Sequence, residues 1–387
     1  MITKLEIQNF KDLNSLSLKD LKQVTLISGK NNIGKTSILE AILLLFNYKV
    51  SSLLIPVLGN RLTNGFPLNL PFDYAVTGAF NDYDLTKCIT VKTNNDELSC
   101  KLTHAAKFSV QQNSPLQNNN PLAFNNVLTT SLTTDGLIIE FKQSGKQYYS
   151  GTSIKNTIQD NLYLPHIQSG IVHPVKLYPI VLINEFGELL KADDFVNNNT
   201  QINFTLPKQQ AIVREFNNIR ANHRKLIKDY LIPGLKLLNP AIEDIELGNE
   251  PLNSQESRIE LILDGKNKPV PISALGHGAK RLFNIIIGTI SAKDGILLID
   301  EIENGIHYSI IGDMWNLIFK LAKANNCQII ATTHSWELAS YITNQPQENQ
   351  KLFSFVNIAR LKNGELSSAT YDYQKFNYAM NQDIEVR

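Results

Sequence analysis

The stretch GKNNIGKT, Gly29 to Thr36, constrains this chain more than any other feature. It fits G-x-x-x-x-G-K-[ST] and lies between a short apolar run, Val24 to Ser28, and an apolar helical stretch that continues to Phe46. Glycines let the backbone curl so that its N–H groups converge, and the following helix adds the positive end of its dipole; together these suit the phosphates of a nucleotide. Gly29, Lys30, Asn31, Asn32, Ile33, Gly34, Lys35, Thr36 and Ser37 are therefore the expected ATP-binding residues. Lys35 would reach the β and γ phosphates, and the Thr36 hydroxyl would ligate Mg²⁺. The plain alternative, a Gly-rich turn with a solvated lysine, is disfavoured by the strand before the motif and the helix after it.

A second region of the same kind comes late. Ile296 to Glu301, ILLIDE, is an apolar strand ending in two adjacent carboxylates, which are costly to bury unless a cation or hydrogen bonds compensate them. Asp300 is the expected Mg²⁺ ligand beside Thr36, and Glu301 the group that polarises the attacking water. Residues 308 to 325 have helical apolar spacing, and CQIIATTHS (327 to 335) is a further strand, so the unit reads β-α-β with parallel strands. Parallel strands bring their C-terminal ends to one crevice, which would set His334 near the γ-phosphate; a lone histidine is otherwise more often structural. Lys35, Glu301 and His334 are thus the catalytic candidates. In PISALGHGAKRL, Gly276, His277 and Gly278 open an apolar helix and form another potential anion site. One nucleotide does not need two such sites from one chain, so this one is expected to cover a nucleotide held by another subunit. An ordinary helix-entry loop is the alternative.

The middle of the chain reads differently. Residues 51–160 are rich in Asn, Thr and Ser, with alternating segments at 87–93, 97–103 and 137–143 that predict antiparallel strands and a loop at 111–121. Residues 207–238 turn helical, with Ile212, Phe216, Ile219, Leu226 and Tyr230 near one face and Arg214, Arg224, Lys225 and Lys228 largely on others. That basic strip is either a solvated face or a contact for nucleic acid or an acidic partner. The expected division is a head split into 1–50 and 255–387, an antiparallel insertion at 51–160 and a mixed, helical one at 161–254.

Composition narrows the classes. Hydrophobic residues at 43% and charged residues at 19% exclude a disordered chain, and a net charge of +1 excludes a general polyanion binder. Three cysteines without C-x-x-C spacing indicate neither a disulfide framework nor a zinc site. No apolar run approaches the roughly 18 residues of a membrane span, and the N-terminus lacks a signal-peptide core, so a cytoplasmic location away from membranes is expected.

In order and spacing these motifs resemble the ABC-type ATPase heads of the SMC and RecF group, and more closely the ATPase part of stand-alone OLD-family antiphage proteins. The segments that carry the resemblance are IQNFKDLNSLSLKDLKQVTLISGKNNIGKTSILEAI, ALGHGAKRLFNIIIGTISAKDGILLIDEIENGIHYS and QIIATTHSWE. It implies an α/β P-loop NTPase with an ABC/SMC-like head and mixed central sheet, an Mg²⁺-dependent ATPase, and a homo-oligomer that sandwiches ATP between the phosphate loop of one subunit and the signature of another. It also implies a sensor or scaffold role in prokaryotic defence beside a separately encoded nuclease. ABC signatures usually present a serine to the opposing γ-phosphate; the best register here places Gly276 there, leaving backbone N–H groups or Ser273 to serve. The tail after His334 is too short for the TOPRIM domain of full OLD proteins, so no intrinsic nuclease is expected. A RecF-like DNA-repair ATPase and a non-hydrolysing assembly scaffold are the competing expectations. A GTPase is disfavoured because no N-K-x-D element occurs.

Overall fold

The computed structural model describes residues 1–46, 78–94, 98–113, 129–143, 146–153, 179–185, 187–191, 208–248 and 259–382. Its strands are β1 (Leu5–Phe10), β2 (Leu13–Leu18), β3 (Val24–Gly29), β4 (Ile89–Thr93), β5 (Leu98–Asn113), β6 (Thr129–Gln143), β7 (Lys146–Ser153), β8 (Ile180–Ile183), β9 (Leu189–Lys191), β10 (Ile242–Leu247), β11 (Ile259–Leu263), β12 (Val270–Pro271), β13 (Ile296–Ile299), β14 (Gln328–Thr333), β15 (Phe353–Arg360) and β16 (Leu366–Asp372). The main helices are α1 (Lys35–Phe46), α2 (Lys208–Asn222), α3 (His277–Ser291), α4 (Ile311–Ala324) and α5 (Tyr373–Asn381).

The central sheet has the order β16-β15-β3-β14-β13-β8-β9. Neighbours from β15 through β8 pair in parallel, and an antiparallel strand closes each edge, so the sheet is mixed. Its inner strands are buried at nearly every position, apolar throughout in β8 and β13, because both faces are covered. Leu297 and Ile299 of β13 face a layer containing Phe283 of α3 and Trp315 of α4, whereas Ile296 and Leu298 face the layer of Ile38, Leu39 and Ile42 of α1. Fully burying one such Ile or Leu is worth about 1.5–3 kcal/mol, so this two-sided burial holds β13 and β14 rigidly at the centre.

An antiparallel sheet, β2-β1-β4-β5-β6-β7, contains the strands expected at 87–93, 97–103 and 137–143. Strand β5 runs on to Asn113, into the segment expected as a loop, and residues 114–121 of that segment lie outside the described residues. A third sheet joins β10, β11 and β12.

Two boundaries differ from the sequence expectation. Strand β8, inside the stretch assigned to the 161–254 insertion, lies in the head's central sheet with Ile180 opposite Ile296 and Ile183 opposite Ile299. It is four apolar residues long, too short to stand out, yet it is buried throughout. In the other direction, β1 pairs with β4, Ile7 opposite Val91, so the N-terminal hairpin belongs to the antiparallel sheet. The helical reading of 207–238 breaks at His223, whose φ of −137° and ψ of 39° leave the helix before a π-helical turn at Ile227–Leu231. Phe216 and Ile219 are buried, and the Phe216 ring lies 5.8 Å from that of Phe283, while Arg214, Arg220, Arg224, Lys225 and Lys228 are exposed.

Candidate nucleotide-binding and catalytic site

The phosphate loop connects β3 to α1, at the C-terminal edge of the central sheet. Gly34 has a φ of +98°, which strains any residue with a side chain, and a Cβ there would lie 2.6 Å from Leu13 Cδ2 of the β1–β2 hairpin. Lys30, Asn31 and Asn32 are exposed, whereas the Ile33 side chain is buried in the α1 layer, so Ile33 can offer a ligand only its backbone. The Ser37 hydroxyl, in the first turn of α1, is buried and has no hydrogen-bond partner among the described residues.

Lys35 is almost fully buried, and its Nζ donates to the carbonyls of Gly29 at 2.8 Å and Lys30 at 3.0 Å. It also lies 3.2 Å from His334 Nδ1. Burial lowers its pKa from 10.5 to about 8, against the opposing pull of Asp300, then Glu301 and Glu303. The Thr36 hydroxyl donates to Asp300 Oδ2 at 2.8 Å, and Thr332 on neighbouring β14 donates to Asp300 Oδ1 at 2.6 Å. A buried carboxylate and a hydroxyl thus meet at the first turn of α1, an all-oxygen pair of the kind a hard divalent cation prefers. Among the described residues no group of three or more His, Cys, Asp and Glu side chains is placed to hold a metal, so the remaining ligands for such an ion would be phosphate and water.

Glu301 follows Asp300 with a φ of +49°, an uncommon backbone for a residue with a side chain. Its N–H donates to Thr332 Oγ1 at 2.8 Å, Asn304 Nδ2 donates to its Oε2 at 2.6 Å, and its Oε1 lies 3.4 Å from His334 Nε2. The five residues Lys35, Thr36, Asp300, Glu301 and His334, drawn from three separate parts of the sequence, therefore converge.

Arg281, Thr332, Glu303 and Asn304 shape the same site and are not singled out by sequence. The buried Arg281 guanidinium, four residues into α3, donates to the backbone carbonyls of Asp300, of Glu301 at 2.9 Å and of Asn184 at 2.6 Å. Burial brings its pKa down to about 10. In sequence it is one of two adjacent cations, Lys280 and Arg281, and nothing there tells which is buried. Thr332 and Glu303 sit two residues from His334 and Glu301, a spacing that alternate positions on one strand or turn can share.

The glycine-rich entry to α3 does not face the phosphate loop of its own chain through any of the contacts above. Ser273, Gly276 and His277 are exposed, and Gly276 has a φ of +87° with open space around its Cα. At Gly278 a Cβ would lie 2.5 Å from the carbonyl oxygen of Gly305. Gly278 is needed for packing beneath the loop that follows Glu301. Ser273, His277 and Gly305 also line a cavity of about 830 Å³ with Glu188, Phe283 and Asn284.

A family model described as "AAA ATPase domain" matches residues 1–169 and 183–339. The chain is 21% identical over 342 residues to a Helicobacter pylori protein named "ATP/GTP phosphatase", covering 87% of this chain and 86% of that one. It is 44% identical over 59 residues to an uncharacterized Methanocaldococcus jannaschii protein, covering 15% of this chain and 27% of that one. Among solved structures it is similar to the Smc head bound to the C-winged helix domain of ScpA, with a TM-score of 0.45, 12% identity and coverage of 98% and 99%. It is also similar to the SMC head domain from Thermotoga maritima, with a TM-score of 0.38, 13% identity and coverage of 96% and 98%.

Proposed function

The chain belongs to the AAA ATPase domain family, and on that premise we propose that it is an Mg²⁺-dependent ATP hydrolase working through Lys35, Thr36, Asp300, Glu301 and His334. The observation that carries this reading is the joining of the phosphate loop to the end of β13 through the Thr36–Asp300 hydrogen bond, with Glu301 and His334 beside it. The loop amides and the start of α1 receive the phosphates, and the Lys35 ammonium exchanges its two carbonyl partners for phosphate oxygens. Thr36 and Asp300 would hold Mg²⁺, which would supply neutralisation of phosphate charge when bound. Glu301 accepts a proton from the attacking water, its carboxylate oriented by Asn304 and His334. His334, within reach of both Lys35 and Glu301, stands where the terminal phosphate would lie.

Catalysis by two copies of the chain completes this reading. The exposed Ser273, Gly276 and His277 at the start of α3 offer backbone donors and a helix dipole on a surface that the phosphate loop of the same chain does not use, which suits the outer side of a nucleotide held by a second copy. A sensor or scaffold role beside a separate nuclease in prokaryotic defence is supported by the resemblance of the sequence motifs, and a nuclease that copurifies in an ATP-dependent manner would test it. The activity itself is tested by phosphate release from ATP and from GTP, with and without Mg²⁺: release from ATP that Lys35→Ala abolishes supports the reading, and release unaffected by that change removes it.

A further inference from the structure

We infer that Glu303 is a positioning residue for hydrolysis: one oxygen of its carboxylate grips the backbone at His334 and Ser335 and thereby holds the His334 ring between Lys35 and Glu301. The inference rests on the ATPase reading above and adds a residue to it.

Glu303 Oε1 accepts from the N–H of His334 at 2.6 Å and from that of Ser335 at 3.1 Å. Two consecutive amides converging on one anionic oxygen fix the orientation of the peptide that leaves β14, and bonds to a charged acceptor are shorter and stronger than neutral ones. The grip is through that oxygen alone, since Oε2 is buried with no partner among the described residues. The segment is pinned on its far side too, where Ser335 Oγ accepts from Leu338 N–H at 3.0 Å and caps the short helix Trp336–Ser340. On this fixed backbone the imidazole sits with Nδ1 3.2 Å from Lys35 Nζ and Nε2 3.4 Å from Glu301 Oε1. Glu303 hydrogen-bonds to the backbone at His334 and Ser335 and not to the Lys35, Thr36 or Glu301 side chains, so the hydrogen-bonding part of its effect passes through His334.

A competing role is purely electrostatic, because the Glu303 charge also acts on Lys35. Two substitutions separate reach from charge. Glu303→Gln keeps an acceptor oxygen at the same length and removes the charge, whereas Glu303→Asp keeps the charge and withdraws the oxygen by one methylene. The experiment measures ATP turnover, ATP affinity by calorimetry and the ring resonances of ¹³C-labelled histidine, with the His334 signal identified by its loss in His334→Ala. We expect Glu303→Asp to lower kcat by about 10- to 100-fold with ATP affinity within about threefold, as removal of an orienting partner commonly does. Glu303→Gln should stay within about threefold of wild type in kcat, and the Glu303→Asp/His334→Ala double variant should be no slower than His334→Ala alone. The His334 ring signal should shift more in Glu303→Asp than in Glu303→Gln. The inference is overturned if Glu303→Gln is the more impaired of the two, if the losses multiply in the double variant, or if the ring signal is unmoved in Glu303→Asp. A wild-type protein that releases no phosphate would sink the ATPase reading instead, and the ring signal would still decide whether Glu303 holds His334.

Discussion

Thr36 and Asp300, 264 residues apart in sequence, are joined by a 2.8 Å hydrogen bond from the threonine hydroxyl to the carboxylate Oδ2. Thr332 occupies the other carboxylate oxygen at 2.6 Å, so Asp300 is fixed by hydroxyl donors from both of its neighbours in space, α1 and β14. Replacing Asp300 with Asn removes the charge and turns one acceptor into a donor facing a donor. Turnover of Asp300→Asn should fall by about 100-fold or more, and the Mg²⁺ concentration giving half-maximal activity should rise. A Mg²⁺ titration of phosphate release checks this, and an unchanged titration curve would remove Asp300 from the metal site.

The burial of Lys35 makes nucleotide affinity sensitive to alkaline pH. Its pKa is about 8 in the folded chain, against 10.5 for a free lysine side chain, so the native protein loses this proton first as pH rises. Between those two values the unfolded chain binds more protons, so this group makes the fold more stable as pH rises through the window. ATP binding responds in the opposite sense, because the ammonium is the form that meets phosphate. Affinity for Mg²⁺-ATP should weaken by about tenfold from pH 7 to pH 9. Calorimetry across that range would show a flat affinity if the lysine stays protonated.

Gly278 and His277 are adjacent, yet they should answer very differently to substitution. A Cβ on residue 278 meets the backbone oxygen of Gly305 at 2.5 Å, and backbone on both sides leaves little room to relax. Gly278→Ala should cost about 1–3 kcal/mol in denaturant unfolding. His277→Ala, at an exposed position, should stay within about 0.5 kcal/mol. Equal stability of the two variants would mean that the turn after Glu301 is not packed on α3.

Sharing of the site between copies is open to a mixing experiment. Ser273→Glu places a negative charge on the exposed entry to α3, where it would oppose phosphate without disturbing the core. It should bind ATP as a single subunit and hydrolyse little. Mixed with Lys35→Ala, which has an intact α3 entry and a disabled loop, it should recover part of the activity. Hetero-oligomers that form without any recovery would show that each chain hydrolyses ATP alone.

The parts of the site legible in the sequence are those whose chemistry imposes a fixed local spacing. The loop from Gly29 to Thr36, the Asp300–Glu301 pair at a strand end and His334 at the next strand end can be read because each motif is defined within a few residues, and parallel strands predict that their ends meet. Arg281 and Glu303 cannot, because each acts on atoms brought near only by the fold: Arg281 on the carbonyl of Asn184, Glu303 on the amide of His334. The place of Ile180–Ile183 in the central sheet is equally hidden, since four apolar residues carry no periodicity and their pairing with β13 is non-local. The close packing of Gly278 on Gly305 is hidden for the same reason, since a glycine in the first turn of a helix does not tell which backbone lies against it.

The role of Glu301 carries the whole reading of hydrolysis, and Glu301→Gln isolates it. Glutamine keeps the length of the side chain and an acceptor for Asn304 while abolishing the capacity to take a proton from water. Paired measurements of ATP affinity by calorimetry and of steady-state phosphate release are the decisive test. Glu301→Gln should bind Mg²⁺-ATP within a few-fold of wild type and release phosphate about 10²- to 10⁴-fold more slowly. Turnover at the wild-type rate with binding intact would show that the proton goes elsewhere and that Glu301 is not the base.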